Sequence, residues 1–122
     1  KTISMVYLVK KMNDQLEKIA HYSVLFSYYG KLLTKKQQEL FSSYYEEDYS
    51  LAEIAESFNI SRNAVYDAIK TACKNLDEFE DALGLYEKSI KRNELFQKYE
   101  NEQTKEKIIE ILDIFYNFLF EN

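Results

Sequence analysis

The stretch SLAEIAESFNISRNAVYDAIKTACKNL, residues 50–76, decides the fold, because its apolar residues recur at the spacing of two helices joined by a tight turn. One face of the first predicted helix carries Leu51, Ile54, Ala55 and Phe58, and one face of the second carries Val65, Ala68, Ile69 and Ala72. Ala55 is small enough to let the two helices cross closely. The stretch therefore predicts a helix-turn-helix.

Residues with capping side chains mark where the helices begin and end. Thr34 with Gln37, three residues later, has the spacing of a capping box, and Ser50 with Glu53 repeats it. Asn59 tolerates the left-handed conformation that a tight turn needs. With Ser61 and Thr104 as further caps, we predict helices over about residues 6–33, 35–45, 51–58, 61–75, 77–99 and 105–120.

The composition favours helices throughout. The 122 residues include no proline and only two glycines, and 46% of them are hydrophobic. We expect an all-α fold in which long N- and C-terminal helices flank the helix-turn-helix. The expected organisation is an N-terminal helix over residues 1–32, a helix-turn-helix domain over 33–76 and a C-terminal helical arm over 77–122, used for dimerisation.

Several classes of site are disfavoured. Cys73 is the only cysteine and His21 the only histidine, so a disulfide, a zinc site or a Cys–His catalytic pair has no support. The carboxylates lie in helical runs without a glycine-rich phosphate loop. We expect no enzyme activity, no cofactor, no metal and no small-molecule substrate. A single cysteine fits a reducing cytosol, so the expected location is the cytoplasm. No apolar run is long enough to span a membrane, and residues 1–9 lack the cleavage site of a signal peptide.

The second helix of the motif presents polar residues outward, as a DNA recognition helix does. Arg62 and Asn63, at its start, suit guanine and adenine edges, and Lys70 and Lys74 suit phosphates. The predicted DNA-binding residues are Ser61, Arg62, Asn63, Tyr66, Lys70 and Lys74. The alternative, that this is only a solvated helix face, stays open.

The distribution of charge supports DNA binding in one segment and opposes it in another. The formal net charge is −5, and residues 41–60 contain five acidic residues and no basic one. Residues 61–76, in contrast, contain three basic residues and one acidic residue. Since phosphate neutralisation supplies much of DNA affinity, the acidic flanks oppose tight binding. They also suit docking of a basic protein partner.

The C-terminal helices carry more apolar surface than a small module needs. A homodimer seam is predicted at Leu83, Tyr86, Ile90, Phe96, Ile111, Phe115 and Phe118. The alternative is that these residues pack within one chain, against the first helix.

Residues 33–87 resemble the YlxM family of small bacterial helix-turn-helix proteins. The most specific part is the run DYSLAEIAESFNISRNAVYDAIK, residues 48–70, and the resemblance covers roughly residues 17–100. Residues 1–11 precede the usual start of the family, near Met12, and the last helix is more aromatic than is typical of it.

The resemblance implies an all-α fold similar to region 4 of sigma factors and a DNA-binding regulatory role. It also implies a link to the signal recognition particle pathway. The alternative function is an adaptor that does not bind DNA and instead binds the particle's GTPase or its RNA.

Overall fold

A computed structural model describes residues 4–100 and 105–120 of the chain, and these residues form helices and no strand. The α-helices are α1 (Met5–Tyr29), α2 (Lys35–Phe41), α3 (Leu51–Phe58), α4 (Arg62–Leu83), α5 (Leu85–Tyr99) and α6 (Lys105–Phe120). A 3-10 turn, Gly30–Leu32, follows α1, and a π turn, Ser42–Glu46, follows α2. The predicted all-α fold is confirmed.

Both predicted capping boxes are present. The Thr34 hydroxyl accepts a hydrogen bond from the Gln37 N–H at 3.2 Å, and the Gln37 side chain accepts one from the Thr34 N–H at 3.1 Å. Ser50 and Glu53 exchange the same pair of bonds, each at 3.1 Å. The bond from the Ser50 N–H holds the pKa of the Glu53 carboxyl below its usual range. These boxes satisfy the first N–H groups of α2 and α3.

The turn between α3 and α4 has the predicted geometry. Asn59 is left-handed, with φ 53° and ψ 47°, and the Ile60 N–H donates to the Ala55 carbonyl at 3.0 Å. The Ser61 hydroxyl accepts from the Ala64 N–H at 3.0 Å and so caps α4. This turn sets the direction in which α4 leaves α3.

Two compact units make up the fold, one ending at Leu83 and the other beginning at Gly84. In the first unit α1, α2 and α3 all contact α4. Its largest fully buried side chains are Leu25, Tyr29, Leu40, Phe41, Ile54, Val65 and Leu76. Ala55, predicted at the helix crossing, is also buried. In the second unit α5 packs on α6, where the rings of Phe96 and Phe115 lie 4.6 Å apart.

The predicted end of the fourth helix near Asn75 is wrong. Helix α4 continues through Asp77 to Leu83, because residue 77 does not cap a new helix: its carboxylate accepts a hydrogen bond from the Tyr22 hydroxyl of α1. The helix ends instead at Leu83, because Gly84 has a φ of 64°, a left-handed conformation that glycine adopts without strain.

Smaller differences concern the first two helices. Helix α1 ends at Tyr29 and α2 at Phe41, because a 3-10 turn and a π turn replace their predicted last residues. Leu16 and Ile19 recur at helical spacing with the buried Leu25 and Tyr29, but both are exposed. Helical spacing over residues 35–45 would place Tyr44 inward beside Leu40 and Phe41, but it lies in the π turn and is exposed. Thr104 lies outside the described residues.

Loss of the α3 cap tests the local basis of the motif. We expect Ser50→Ala to lower the free energy of unfolding by about 1 kcal/mol, because the Glu53 N–H loses its acceptor. The measurement is urea denaturation followed by circular dichroism. Ser57→Ala, an exposed change inside the same helix, is the matched control and should change stability by less than about 0.5 kcal/mol. Equal effects of the two changes would contradict the capping assignment.

Candidate nucleic-acid interface

The polar face of α4 is open to solvent along its length. All six predicted DNA-binding residues are exposed: Ser61, Arg62, Asn63, Tyr66, Lys70 and Lys74. They differ in whether their polar groups already have a partner within the chain. The Ser61 hydroxyl is already engaged as the helix cap, so its structural role is to fix the start of α4.

The remaining five residues divide into two surfaces. Arg62 and Asn63 lie at the start of α4, which we call the helix tip. Tyr66, Lys70 and Lys74 recur every fourth residue and line a groove of about 560 Å³ between α4, α1 and the π turn. The other aromatic and basic residues of this tyrosine–lysine groove are Lys18, Tyr22, Tyr44 and Tyr45. The predicted site is therefore divided between an exposed helix start and a groove.

The groove has one carboxylate, and that carboxylate is engaged. Asp77 accepts a hydrogen bond from the Tyr22 hydroxyl at 2.8 Å, and its other oxygen lies 3.1 Å from Nε2 of His21. Burial and the bond to Asp77 raise the pKa of Tyr22 to about 12, so its hydroxyl stays protonated at neutral pH. Against this single acidic group the groove has three exposed lysines.

The floor of the groove is neutral. Burial raises the pKa of the Cys73 thiol, which donates to the Tyr45 hydroxyl across 3.6 Å. Burial and the contact with Cys73 likewise raise the pKa of Tyr45 above its usual range. Both groups are uncharged at neutral pH, so Cys73 lies here as a small buried residue and not as a reactive thiolate.

The acidic residues that precede α4 form a separate surface. Glu46, Glu47, Asp48, Glu53 and Glu56 are all exposed. Several of them line a second groove beside Tyr49 and Phe58. We call this surface the acidic face. It repels phosphates and attracts cationic groups, so it separates the chain into regions of opposite charge.

Across residues 4–100 and 105–120, no group of three or more His, Cys, Asp or Glu side chains could hold a metal ion. None of the helices described is long and apolar enough to cross a lipid bilayer.

The predicted dimer residues lie in different surroundings. Leu83, Ile90 and Phe96 are exposed, whereas Tyr86, Ile111, Phe115 and Phe118 are half-buried. Phe96 and Phe115 also contact each other within the second unit. The more exposed apolar side chains of α6 are on its other face: Ile108, Ile109, Leu112, Tyr116, Leu119 and Phe120.

Sequence reasoning missed four groove residues: Lys18, Tyr22, Tyr44 and Tyr45. No local spacing signals them, because they come from α1 and the π turn and meet α4 only in the folded chain. Lys31, Lys35 and Lys36, the basic residues around the start of α2, do not line the groove. The richness of the chain in tyrosine, eleven of its residues, was the one available signal.

Comparison with known proteins gives a consistent family. A family model described as "Putative helix-turn-helix protein, YlxM / p13 like", UPF0122, matches residues 16–114. A UPF0122 protein of Lactococcus lactis subsp. cremoris is 47% identical over 93 residues, covering 73% of this chain and 84% of the relative. A UPF0122 protein of Listeria welshimeri is 43% identical over 94 residues, covering 77% and 86%. This chain, with its helix-turn-helix of α3 and α4, therefore belongs to the UPF0122 family of YlxM-like helix-turn-helix proteins.

Proposed function

We propose that the protein is a DNA-binding regulatory protein that contacts duplex DNA through α4. The observation that carries this proposal is the exposed helix tip. The capped turn at Asn59 and Ser61 projects Arg62 and Asn63 into solvent at the start of the second helix of the motif. Recognition helices of this kind contact base edges with their N-terminal residues.

The side chains of the tip have the chemistry that base recognition needs. Arg62 offers paired donors to the O6 and N7 acceptors of guanine, and Asn63 offers a donor and an acceptor to adenine. Lys70 and Lys74 lie farther along α4, where phosphates of the same duplex would be contacted. Because the chain has a net charge of −5, affinity should be modest and strongly dependent on salt.

The adaptor function is the alternative, and the acidic face supports it. Five exposed carboxylates close to α3 form a surface that a basic protein could contact. Under this alternative the partner is the GTPase of the signal recognition particle. Its RNA is the poorer partner for this surface, because phosphates and carboxylates repel each other.

Self-association through the second unit is a further part of the proposal. The exposed apolar side chains of α5 and α6 include Ile90, Phe96 and Leu112, the last being 61% exposed. A second copy would remove this surface from water. A dimer would also carry two helix tips, as two-fold regulators do.

Removal of the tip arginine tests the DNA proposal. We expect Arg62→Ala to weaken binding to a selected duplex by about 5- to 150-fold, since a bidentate contact to guanine is worth about 1–3 kcal/mol. Lys74→Ala should instead lower the slope of log affinity against log salt by about one. The measurement is fluorescence anisotropy with duplexes selected from a random pool, at several salt concentrations.

Arg92→Ala in α5 is the matched control, because Arg92 is the only other arginine of the chain. It should leave duplex affinity unchanged. Absence of any selected duplex at low salt would contradict the DNA proposal, and so would equal losses in the two arginine variants. A salt-sensitive complex with the purified GTPase of the particle, formed in the absence of DNA, would then favour the adaptor.

A charge placed on α6 tests self-association. We expect Leu112→Glu to shift the protein from dimer to monomer in sedimentation equilibrium, because the carboxylate would be buried in the seam. Asn117→Glu adds the same charge at another exposed position of α6 and should leave the dimer intact. A dimer that survives Leu112→Glu, with helicity unchanged, would contradict a seam on this face.

A further inference from the structure

We propose that the tyrosine–lysine groove binds single-stranded nucleic acid, with unpaired bases stacked on its tyrosines and phosphates held by its lysines. This site shares Lys70 and Lys74 with the proposed duplex contact but does not include the helix tip, and the inference does not rest on the duplex-binding proposal. It concerns residues of α1 and the π turn that duplex reading by Arg62 and Asn63 does not use.

The exposed rings provide the stacking surfaces. Tyr44 of the π turn is 37% exposed and Tyr66 of α4 is 52% exposed, and both line the groove. Large aromatic side chains at the surface are what proteins use to stack unpaired bases, since every base has a planar face. A tyrosine that served only the core would be covered, as Tyr29 is.

The wall behind these rings is held in place by the core. Tyr44 packs edge-on against Tyr45, with ring centres 5.1 Å apart. Tyr45 stacks on Phe41 at 4.5 Å, and Phe41 stacks on Phe26 at 4.4 Å. Because this row of rings reaches from the groove into the fully buried Phe41, the wall needs little ordering when a base arrives.

The charges of the groove suit a phosphate backbone. Lys70 and Lys74 are one helical turn apart, about 6 Å along α4, and Lys18 faces them from α1. They therefore offer several cation positions, as successive phosphates need. Asp77, the one carboxylate, is engaged by Tyr22 and His21. In a chain of net charge −5 this is a local concentration of positive charge.

The shape of the groove favours a strand over a free nucleotide. Its lysines and two of its tyrosines are exposed, so the groove is open to solvent along its rim. Small ligands bind where most of their surface is covered, whereas a strand can run along an open groove and make a contact at each nucleotide. A duplex is a poorer fit, because its bases are already paired and stacked and cannot lie on the rings.

The test is anisotropy titration of labelled 12-nucleotide oligo(dT) and oligo(rU) with the full chain. Tyr44→Ala should weaken binding of at least one strand about tenfold, and Tyr44→Phe should retain it because the ring is kept. Lys18→Gln should lower the salt slope by about 0.7. Arg62→Ala should leave strand binding unchanged. Tyr49→Ala, which removes an exposed tyrosine outside the groove, is the matched control.

Each outcome bears on the groove separately from the helix tip. Tighter binding of oligo(rU) or of oligo(dT) supports the inference and identifies RNA or DNA as the strand. No binding of either strand at low salt overturns it, as does equal loss in Tyr44→Ala and Tyr49→Ala. Thymidine monophosphate that competes as well as the oligonucleotide also overturns it, because the site would then be a nucleotide pocket. Duplex binding that depends on Arg62 would survive all of these failures.

Discussion

The packing of three helices on one helix is the constraint on which the first unit depends. Helices α1, α2 and α3 each contact α4, and Val65 and Leu76 of α4 are fully buried. Because one side of α4 is buried in the core, its opposite side must face the solvent. The capped turn at Asn59 then decides where that side begins. The sequence supplies the polar residues of α4, and core packing sets the direction in which they face.

The same packing explains what sequence could and could not predict. The helix-turn-helix was predictable, because its caps and its apolar spacing are local signals that the structure retains at Ser50, Glu53 and Ala55. The continuation of α4 past Asp77 was not, since an acidic residue after a polar stretch also suits a helix start. Only the approach of Tyr22, 55 residues away in the chain, shows that Asp77 serves a tertiary contact.

The candidate interface likewise has one part that the sequence predicts and one part that it does not. The helix tip was predictable from the position of Arg62 and Asn63 in the motif. The groove was not, because Lys18, Tyr44 and Lys74 share no periodicity and meet only through the packing of α1 and the π turn on α4. The tip therefore follows from membership of a helix-turn-helix family, whereas the groove follows from how this chain surrounds its second motif helix. Two surfaces on one helix allow separate ligands or separate parts of one ligand.

The π turn has a consequence for how the family could vary. Its wider winding, seen in the bond from the Glu47 N–H to the Ser42 carbonyl at 2.9 Å, places one more residue in the turn than an α-helix holds. Deleting one residue between 42 and 46 would restore ordinary winding and rotate the residues after it by about 100°. Tyr44 and Tyr45, which both line the groove, lie within this turn. A relative that lacks this inserted residue would keep the local signals of the helix-turn-helix, while its chain would enter α3 with a different wall beside α4.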